Sequence, residues 1–250
     1  MSAARQTIEA FDPPRDSLCA ACSSYRLSPC RAVADVVLAR GRGQGDLLQP
    51  TEHLVPARRI VCRGRDLHDV VPVICDGWAA STSTLSEGSR QILSFLLPGD
   101  LVSTVLLFEP ATHFVVEAIT DVRYRTFKRS ELRAAFFEYP ELFEKLSRIW
   151  IEEKERADQL AINLGRRSAD ERIARLILDL KDRLAQRRMV RGSTFDFPLR
   201  QHHVADAAGL TPVHVSKVLS EFRRNRVIEI SDRSLAILDE ERLEQIATAR

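Results

Sequence analysis

Three cysteines near the amino terminus are spaced in a way that suits metal binding. Cys19 and Cys22 flank two alanines, and Cys30 follows after seven more residues. The short first loop lets two thiolates face one metal, and the longer second loop can bring a third around it. Five cysteines are an odd number, and Met1–Phe11 carries no apolar run that could act as a signal peptide. Thiol or metal chemistry is therefore favoured over a disulfide framework, with a structural zinc site and thiols that bind no metal as alternatives.

The other residues capable of chemistry are far apart in the sequence. Cys62 and Cys75 lie in an apolar region, where a lone cysteine is usually a small core residue. His53, His68 and His113 form no His-x-His pair of the kind that barrel metalloenzymes use. The sequence also lacks a nucleophile-plus-base motif, a phosphate loop and a paired acidic site. We therefore predict that the chain is not an enzyme; a barrel enzyme with an appended helical domain is the distant alternative.

A second chemical feature is the stretch 201–224, which has the pattern of a helix-turn-helix. Two short apolar helical repeats flank Gly209, which stands where the chain must adopt a positive φ. Thr211 can cap the second helix, and Pro212 suits its first position. The outward side chains on the amino-terminal part of this helix are those that meet base edges when such a helix enters the major groove. They are Val213, His214, Ser216, Lys217 and Ser220.

Basic residues follow this stretch. Arg223 and Arg224 end the second helix, and Val227–Ile230 and Leu235–Leu238 predict a two-stranded wing behind it. Guanidinium groups at these places suit phosphates, which position a protein on DNA without specifying its sequence. A helical hairpin with a solvated basic face is the ordinary alternative. The turn glycine, the capped second helix and the basic wing together favour binding to double-stranded DNA.

These candidate residues need a scaffold, and the segment from Val55 to Lys128 predicts one. Short runs rich in Val, Ile, Leu and Thr alternate there with turn formers such as Asp76-Gly77 and Pro98-Gly99. Many short strands at even spacing are typical of an antiparallel sandwich or barrel. Helical periodicity dominates beyond this segment. The predicted class is therefore α+β, with an amino-terminal antiparallel β-barrel of the jelly-roll, cupin-like type.

A long helix is predicted next. From Pro140 to Leu164 apolar residues recur at steps of three or four, over about 25 residues. A helix of this length would overrun a small barrel, so we predict that its stripe, which includes Ile149 and Leu160, zips against a second copy in a homodimer. Packing of the stripe on the chain's own barrel is the alternative. Glu153 interrupts the stripe, and two such carboxylates facing each other would repel.

The charge distribution agrees with a nucleic-acid partner. The net charge is only +2, but Arg166–Arg250 holds 17 Lys and Arg against 13 Asp and Glu, which leaves 20 against 22 in the preceding residues. Such asymmetry favours a basic, DNA-facing domain on a neutral partner domain. The longest apolar stretches, such as Val105–Phe108, fall far short of the ~18 residues that a membrane span needs. We therefore expect a cytoplasmic protein with no membrane partner.

In the order of these parts, the chain resembles the Crp/Fnr family of transcription regulators over nearly its whole length. Leu96–Leu101 resembles the family's barrel turn, Arg166–Ala174 the opening of its DNA-binding domain, and Thr211–Lys217 its recognition helix. The resemblance implies a homodimer on an inverted-repeat operator, with RNA polymerase as a further partner. It also implies four parts: a cysteine-containing segment at 1–31, a β-barrel sensor domain of the cyclic-nucleotide-binding type at 32–138, a dimerisation helix at 139–165, and a winged helix-turn-helix at 166–250.

The chain departs from the family at the residues that read DNA and bind ligand. The Fnr branch typically presents Glu-x-x-Ser-Arg to the bases, whereas here Val213 and Lys217 take the places of the Glu and the Arg. Loss of the carboxylate removes an acceptor for a cytosine amine, and lysine cannot reproduce an arginine fork on guanine, so a different operator is expected. Cyclic-nucleotide-binding members hold the phosphate with an arginine, but this chain has none between Arg90 and Arg123. Cyclic AMP is therefore not expected to bind.

Within the Fnr branch, an amino-terminal cysteine trio resembles the ligands of an oxygen-labile [4Fe–4S] cluster. The resemblance would give this role to Cys19, Cys22 and Cys30. The fourth cysteine of the usual pattern is absent here, so Cys62 or Cys75, or a carboxylate, would have to substitute. We therefore predict a DNA-binding transcription regulator that responds to oxygen or redox through this cluster. The main alternative is the same regulator sensing a small organic ligand in the barrel without a metal.

Overall fold

The computed structural model of the protein describes Cys30, residues 50–109 and residues 114–248. Residues 50–128 with their gap form a domain of two sheets, here called the β-domain. Residues 168–248 form a helical domain with a small sheet, here called the winged domain. A long helix connects the two. The α+β class predicted from the sequence is confirmed, and no helix within the described ranges is long and apolar enough to cross a membrane.

Seven strands build the β-domain. They are β1 (Thr51–Val55), β2 (Ile60–Arg63), β3 (Val70–Asp76), β4 (Ala79–Thr84), β5 (Arg90–Leu96), β6 (Val115–Ala118) and β7 (Val122–Lys128). One antiparallel sheet has the order β1-β7-β3 and the other the order β2-β6-β4-β5. A single buried cluster includes Val71 and Phe127 of the first sheet and Leu96 and Val116 of the second, so the domain's core lies between the sheets.

The predicted barrel is not closed, because no strand pair among the described strands joins the two sheets. The reason lies at Asp76-Gly77, which has the sequence of a hairpin turn. β3 belongs to one sheet and β4 to the other, so this turn carries the chain between sheets instead of pairing its flanking strands. Only glycine suits the position, since its φ is +80° and a Cβ would lie 2.0 Å from the backbone oxygen of Asp121.

Two consecutive helices follow β7, where the sequence predicted one. They are α1 (Arg129–Glu138) and α2 (Pro140–Arg166). Tyr139 separates them with φ −132° and ψ 82°, outside the helical region, and Pro140 has no N–H to continue α1. The guanidinium of Arg129 is buried and donates to the backbone carbonyls of Leu67, His68 and Leu106, which fixes the start of α1 on the β-domain.

The winged domain contains four helices and four strands. They are α3 (Ala169–Gln186), β8 (Val190–Arg191), β9 (Thr194–Asp196), α4 (Gln201–Ala208), α5 (Pro212–Arg224), β10 (Ile228–Ser231), β11 (Ser234–Ile237) and α6 (Glu240–Thr248). The predicted two-stranded wing is present as the β10–β11 hairpin, and β9 and β8 extend it to a four-stranded sheet of order β10-β11-β9-β8. Ser168 and Glu171 form the expected capping box at the start of α3.

The winged domain packs directly against the β-domain. One continuous buried cluster contains the core of α3, α4 and α5 together with Trp78, Ile92, Phe95 and Leu97 of the β-domain. The face of β4 and β5 that points away from the inter-sheet core therefore supports the winged domain. Each Å² of apolar surface removed from water contributes about 25 cal/mol, so burial of these large apolar side chains stabilises one arrangement of the two domains.

Candidate nucleic-acid interface and sensor site

The turn of the helix-turn-helix has the geometry that its sequence demands. Gly209 ends α4 in the left-handed conformation, with φ 63° and ψ 43°. A Cβ at this position would lie 2.8 Å from Leu164 Cδ2, so a larger residue would require that side chain to move and would also be strained by the positive φ. The Thr211 hydroxyl accepts a hydrogen bond of 3.2 Å from the backbone N–H of His214, and Pro212 follows in the first turn of α5. The local sequence thus fixes where α5 begins.

One face of α5 is largely exposed. Val215, Val218, Leu219 and Phe222 point into the core. The residues predicted to contact DNA lie on the opposite side, where Val213 is 81% exposed. His214, Lys217, Ser220, Arg223 and Arg224 are also exposed, and Ser216 is half-buried. The structure therefore brings all seven predicted residues together on the outward side of one helix.

The wing ends in a strained two-residue turn. Ser231 pairs with Ser234 across the β10–β11 hairpin, so Asp232 and Arg233 form its loop. Both have positive φ, 46° and 65°, in a turn type that prefers Asn-Gly because L side chains resist this conformation. Such strain is typical of functional sites, and here it presents an exposed arginine beyond the sheet.

A group of charged residues joins the winged domain to the loop after β5. Arg183 and Arg187, one turn apart at the end of α3, both bind the carboxylate of Asp100, with 2.7 Å between Arg183 Nη2 and Asp100 Oδ2. Arg183 also donates to the backbone oxygen of Phe95, and Arg187 to that of Pro98. All three charged side chains are at least 87% buried. No sequence motif indicated this role of Asp100; the one available signal was the two arginines that flank the buried Leu184 at the end of α3.

The environment acts on these two arginines in opposite directions. Burial lowers the pKa of Arg183, but the carboxylates of Asp100 and Asp179 outweigh this effect and raise it overall. Burial is the main reason why the pKa of Arg187 is lowered, and the neighbouring Arg183 adds to the effect. A single carboxylate thus serves two guanidinium groups, which makes Asp100 the residue on which the cluster depends.

Glu153 of the long helix faces the chain's own β-domain. Its carboxylate accepts hydrogen bonds from the backbone N–H of Thr104 at 2.8 Å, from the Thr104 hydroxyl at 2.6 Å and from the Ser103 hydroxyl at 3.3 Å. Ile149, one turn earlier, packs against the β-domain core. The predicted stripe is therefore wrong at these two positions, because the first half of α2 lies on its own β-domain and Glu153 is a paired group.

A second face of α2 is exposed and partly apolar. Phe143 and Trp150 are 44% and 51% exposed, and Ala157 follows seven residues later on the same face. Ala161 continues this face towards the end of the helix, and both alanines also border the cavity between α2 and the β-domain. The spacing of seven is the repeat of helices that pair in coiled coils. We call the face formed by Phe143, Trp150, Ala157 and Ala161 the outer face of α2.

A cavity of about 500 Å³ lies between β5, the loop after it and α2. Its lining is mostly apolar and includes Leu96, Val102, Ile149 and Leu160, with Glu153 at its side. Arg156 and Arg183 are the arginines that line it, and Arg183 is bound to Asp100. Among the described residues that line the cavity, the strands of the β-domain contribute no arginine.

The structure describes three of the five candidate thiols. Cys30 is half-buried and packs against the β-domain core, as does Cys62, whose pKa is raised to about 12 by burial and by Asp66. Cys75 lies where the β3–β7 register shifts between Ile74 and Asp76. Cys19 and Cys22 lie outside the described residues. Within the described ranges, no group of three or more His, Cys, Asp or Glu side chains could hold a metal ion.

Two histidines of α4 lie at the edge of the contact with the β-domain. The rings of His202 and His203 are 4.0 Å apart, and His203 Nδ1 accepts from the backbone N–H of Arg200 at 3.1 Å. Burial lowers the pKa of His203 to about 4, and the nearby His202, Arg90 and Arg200 contribute in the same direction. This imidazole is therefore neutral at physiological pH.

Two sequence profiles match the chain. One, described as a Crp-like helix-turn-helix domain, covers residues 171–246, and the other, a cyclic nucleotide-binding domain, covers residues 52–139. Together they cover most of the winged domain, most of the β-domain and α1.

Known proteins resemble the chain over most of its length. The nitrogen fixation regulation protein FixK of Bradyrhizobium diazoefficiens is 32% identical over 165 residues, which are 66% of this chain and 68% of that protein. The transcriptional activator protein FnrL of Cereibacter sphaeroides is 32% identical over 179 residues, 69% of this chain and 70% of that protein. The structure of FixK2 from Bradyrhizobium japonicum superimposes with a TM-score of 0.72 at 27% identity, covering 81% of this chain and all of that one. These relatives are transcription regulators and not enzymes.

Proposed function

Because the chain belongs to the Crp/Fnr family and is a DNA-binding transcription regulator, we propose that it binds an inverted-repeat operator as a homodimer in response to oxygen or redox. The observation that carries the DNA-binding part is the outward side of α5. Val213, His214, Ser216, Lys217 and Ser220 would meet base edges, and Arg223 and Arg224 would contact phosphates. Arg233 at the tip of the wing would reach a further phosphate.

The outer face of α2 supports the homodimer. It carries exposed Phe143 and Trp150 where a lone helix on a β-domain would expose polar residues. Two such faces related by a two-fold axis would bury the aromatic rings at one end, and the small Ala157 and Ala161 would let the helices approach closely at the other. A two-fold dimer presents its two α5 helices to half-sites about one helical turn of DNA apart.

The redox part of the proposal rests on the cysteine trio. Cys19, Cys22 and Cys30 supply three thiolates within a short segment, and such a donor set suits an iron–sulfur cluster. When bound, a [4Fe–4S] cluster would make the protein sensitive to oxygen, because oxygen degrades the cluster. Cys30 packs against the β-domain core, so a change at its sulfur would act directly on that core. Cys62, Cys75 or a carboxylate could supply the fourth ligand, and we favour Cys75, because Cys62 packs against the β-domain core and burial raises the pKa of its thiol.

A second candidate signal is a small organic ligand. The cavity beside Glu153 has a volume of about 500 Å³ and a mostly apolar lining, which suits a small, largely apolar molecule. Cyclic AMP fits poorly, because the β-domain strands offer its phosphate no arginine and Glu153 already occupies the donors of Ser103 and Thr104.

As a transcription regulator of this family, the protein would pass the signal to RNA polymerase at the promoter.

Purification without air separates these proposals. A cluster predicts a brown protein with broad visible absorption, about four irons and four sulfides per chain, and tight binding to a selected inverted repeat that air abolishes. Cys22→Ser should remove the colour and mimic air, whereas Cys62→Ser should retain both colour and binding. Colourless protein that binds DNA equally with and without air would contradict the redox proposal and favour the cavity ligand, while leaving DNA binding intact.

A further inference from the structure

Arg90, at the start of β5, forms an ion pair across the boundary between the two domains. Its Nε and Nη2 donate to one carboxylate oxygen of Asp206 on α4, at 2.8 and 2.7 Å. Its Nη1 donates to Glu117 of β6 at 2.6 Å. The side chains of Arg90 and Asp206 are only 26% and 24% exposed. This guanidinium therefore connects a β-domain carboxylate to the first helix of the helix-turn-helix.

The contact is one of two groups of hydrogen bonds that join β5 to the winged domain. Next to Arg90, the Gln91 side chain donates to the backbone oxygen of Ala207, the penultimate residue of α4. At the other end, Arg183 of α3 donates to the backbone oxygen of Phe95. The Asp100 cluster extends this second group into the loop after β5. β5 thus bonds to α4 at its start and to α3 at its end, so the winged domain is held at two separated points.

The two ends differ in how they would respond to change. The side chains of the Asp100 cluster are at least 87% buried, and its arginines also donate to backbone carbonyls. This cluster is therefore part of the packed interior. The Arg90 end is partly exposed, and its ion pairs depend on a single guanidinium between two carboxylates. Without that positive charge, Glu117 and Asp206 would repel each other across the boundary. The start of β5 is therefore the place where loss of one charge would loosen the attachment of α4, while the apolar contact between the domains remains.

The contact leaves the DNA-facing side of the winged domain open. Arg90 and Gln91 bond to α4, whereas Val213 of α5 is 81% exposed and Lys217 is exposed as well. Attachment at Asp206 therefore orients α5 and does not cover it.

We propose that Arg90 is a positioning residue for DNA binding, which holds the helix-turn-helix at Asp206 so that the dimer presents its two α5 helices at one fixed spacing. The inference rests on the proposed homodimer and inverted-repeat operator. A winged domain that is already held in the DNA-binding position does not have to lose conformational freedom when the dimer binds both half-sites. If the loosened attachment lets the domain spend only about a tenth of its time in that position, the apparent affinity falls about tenfold.

Two variants of opposite charge test the proposal. Arg90→Gln removes a positive charge and Asp206→Asn removes a negative one, so general attraction to DNA changes in opposite directions. Positioning predicts that both lose affinity, by about tenfold, for an inverted repeat selected with the parent protein from random duplexes. The double variant should lose no more than either single variant, and Arg90→Lys should retain part of the affinity. Asp76→Asn and Arg123→Gln, at a more exposed β-domain pair, are the matched controls.

The preference for a particular distance between half-sites is the decisive measurement, because a loss of protein stability alone would not change it. The parent should discriminate strongly against operators whose half-sites are one or two base pairs further apart, and both single variants should discriminate less. Binding to a duplex with one half-site should change little. Unchanged affinity and spacing preference in both variants would overturn the proposal, and so would tighter binding by both, which would mean an autoinhibitory contact. If the parent selects no inverted repeat, the proposed function fails, and this inference fails with it.

Discussion

The carboxylate of Glu153 in the long helix accepts hydrogen bonds from both the backbone N–H and the hydroxyl of Thr104 in the β-domain. The bond to the backbone matters most, because Thr104 begins a 3-10 helix and its N–H has no partner within that helix. One acidic side chain thus completes a loop that is about 50 residues away in sequence and fixes the long helix on that loop.

Glu153→Ala should therefore destabilise the protein. Hydrogen bonds to a charged group contribute about 1.5–3 kcal/mol, and the half-exposed position favours the lower end of this range. Urea unfolding of the anaerobically purified protein measures the loss as a lower midpoint at unchanged slope. Glu155→Ala, at an exposed position on the same helix, is the control and should change the midpoint little. Equal midpoints for Glu153→Ala and Glu155→Ala would show that the bonds to Thr104 do not contribute to stability.

A charge on the outer face of α2 should separate the dimer. Ala157→Asp places a carboxylate within this face without removing an intrachain contact of a large side chain. An unpaired charge buried in an apolar interface costs several kcal/mol, so the dimer dissociation constant should rise by roughly 100-fold or more. Gln159→Asp introduces the same charge on another exposed part of the helix and should leave the dimer intact. Sedimentation velocity distinguishes the two, and dimers of equal stability would place the interface elsewhere.

The long helix shows how far the sequence alone could lead. Its start at Pro140 followed from proline chemistry and its length from periodicity, and the structure agrees on both. Which face pairs with what did not follow, because Ile149 and Trp150 are both apolar and only the position of the β-domain decides which is covered. Periodicity gives the angle between side chains on a helix and not the direction of its neighbours.

The helix-turn-helix was predictable for the opposite reason. Gly209, Thr211 and Pro212 each determine the backbone locally, so the turn and the start of α5 needed no knowledge of the rest of the fold. The ion pair between Arg90 and Asp206 joins residues 116 positions apart, and no motif relates one residue to the other. Contacts of this kind depend on how the two domains pack, so only the structure could reveal them.

Substitutions on α5 should separate base contacts from phosphate contacts. If Lys217 reaches a base edge, Lys217→Ala should relax discrimination at one position of each half-site, with a loss of about 1–3 kcal/mol on the best sequence only. Arg224→Ala should weaken binding to all sequences alike and reduce the salt dependence by about one phosphate contact. Binding of both variants to a set of single-base operator changes, over a range of salt concentrations, provides the comparison. A uniform loss from Lys217→Ala would assign it to a phosphate.

His203 should make stability depend on pH. Its pKa is lowered to about 4 in the folded protein from an ordinary 6.5, so between these values the unfolded chain binds a proton that the folded chain does not. Its contribution to stability is complete above pH 6.5 and is lost as the pH falls towards 4. His203→Gln should therefore lose less stability than the parent between pH 7 and pH 5 in urea unfolding. His214→Gln controls for removal of an imidazole at an exposed position, and identical pH slopes for the parent and His203→Gln would contradict the assignment.

Substitution of Arg233 at the strained tip of the wing should have opposite effects on protein stability and on DNA affinity. Arg233 has a φ of +65°, a conformation that costs a non-glycine residue about 1 kcal/mol or more. Arg233→Gly should therefore stabilise the protein by about this amount and, if the guanidinium contacts a phosphate, weaken binding to all DNA sequences and lower the salt dependence. Asp232→Gly is the matched control, because it relieves a φ of +46° in the same turn but removes a negative charge, so it should stabilise the protein without weakening DNA binding. Thermal unfolding measures the first effect and fluorescence anisotropy at several salt concentrations the second. If Arg233→Gly gains stability and keeps full affinity, the wing tip does not contact DNA, and the strain at this turn serves another purpose.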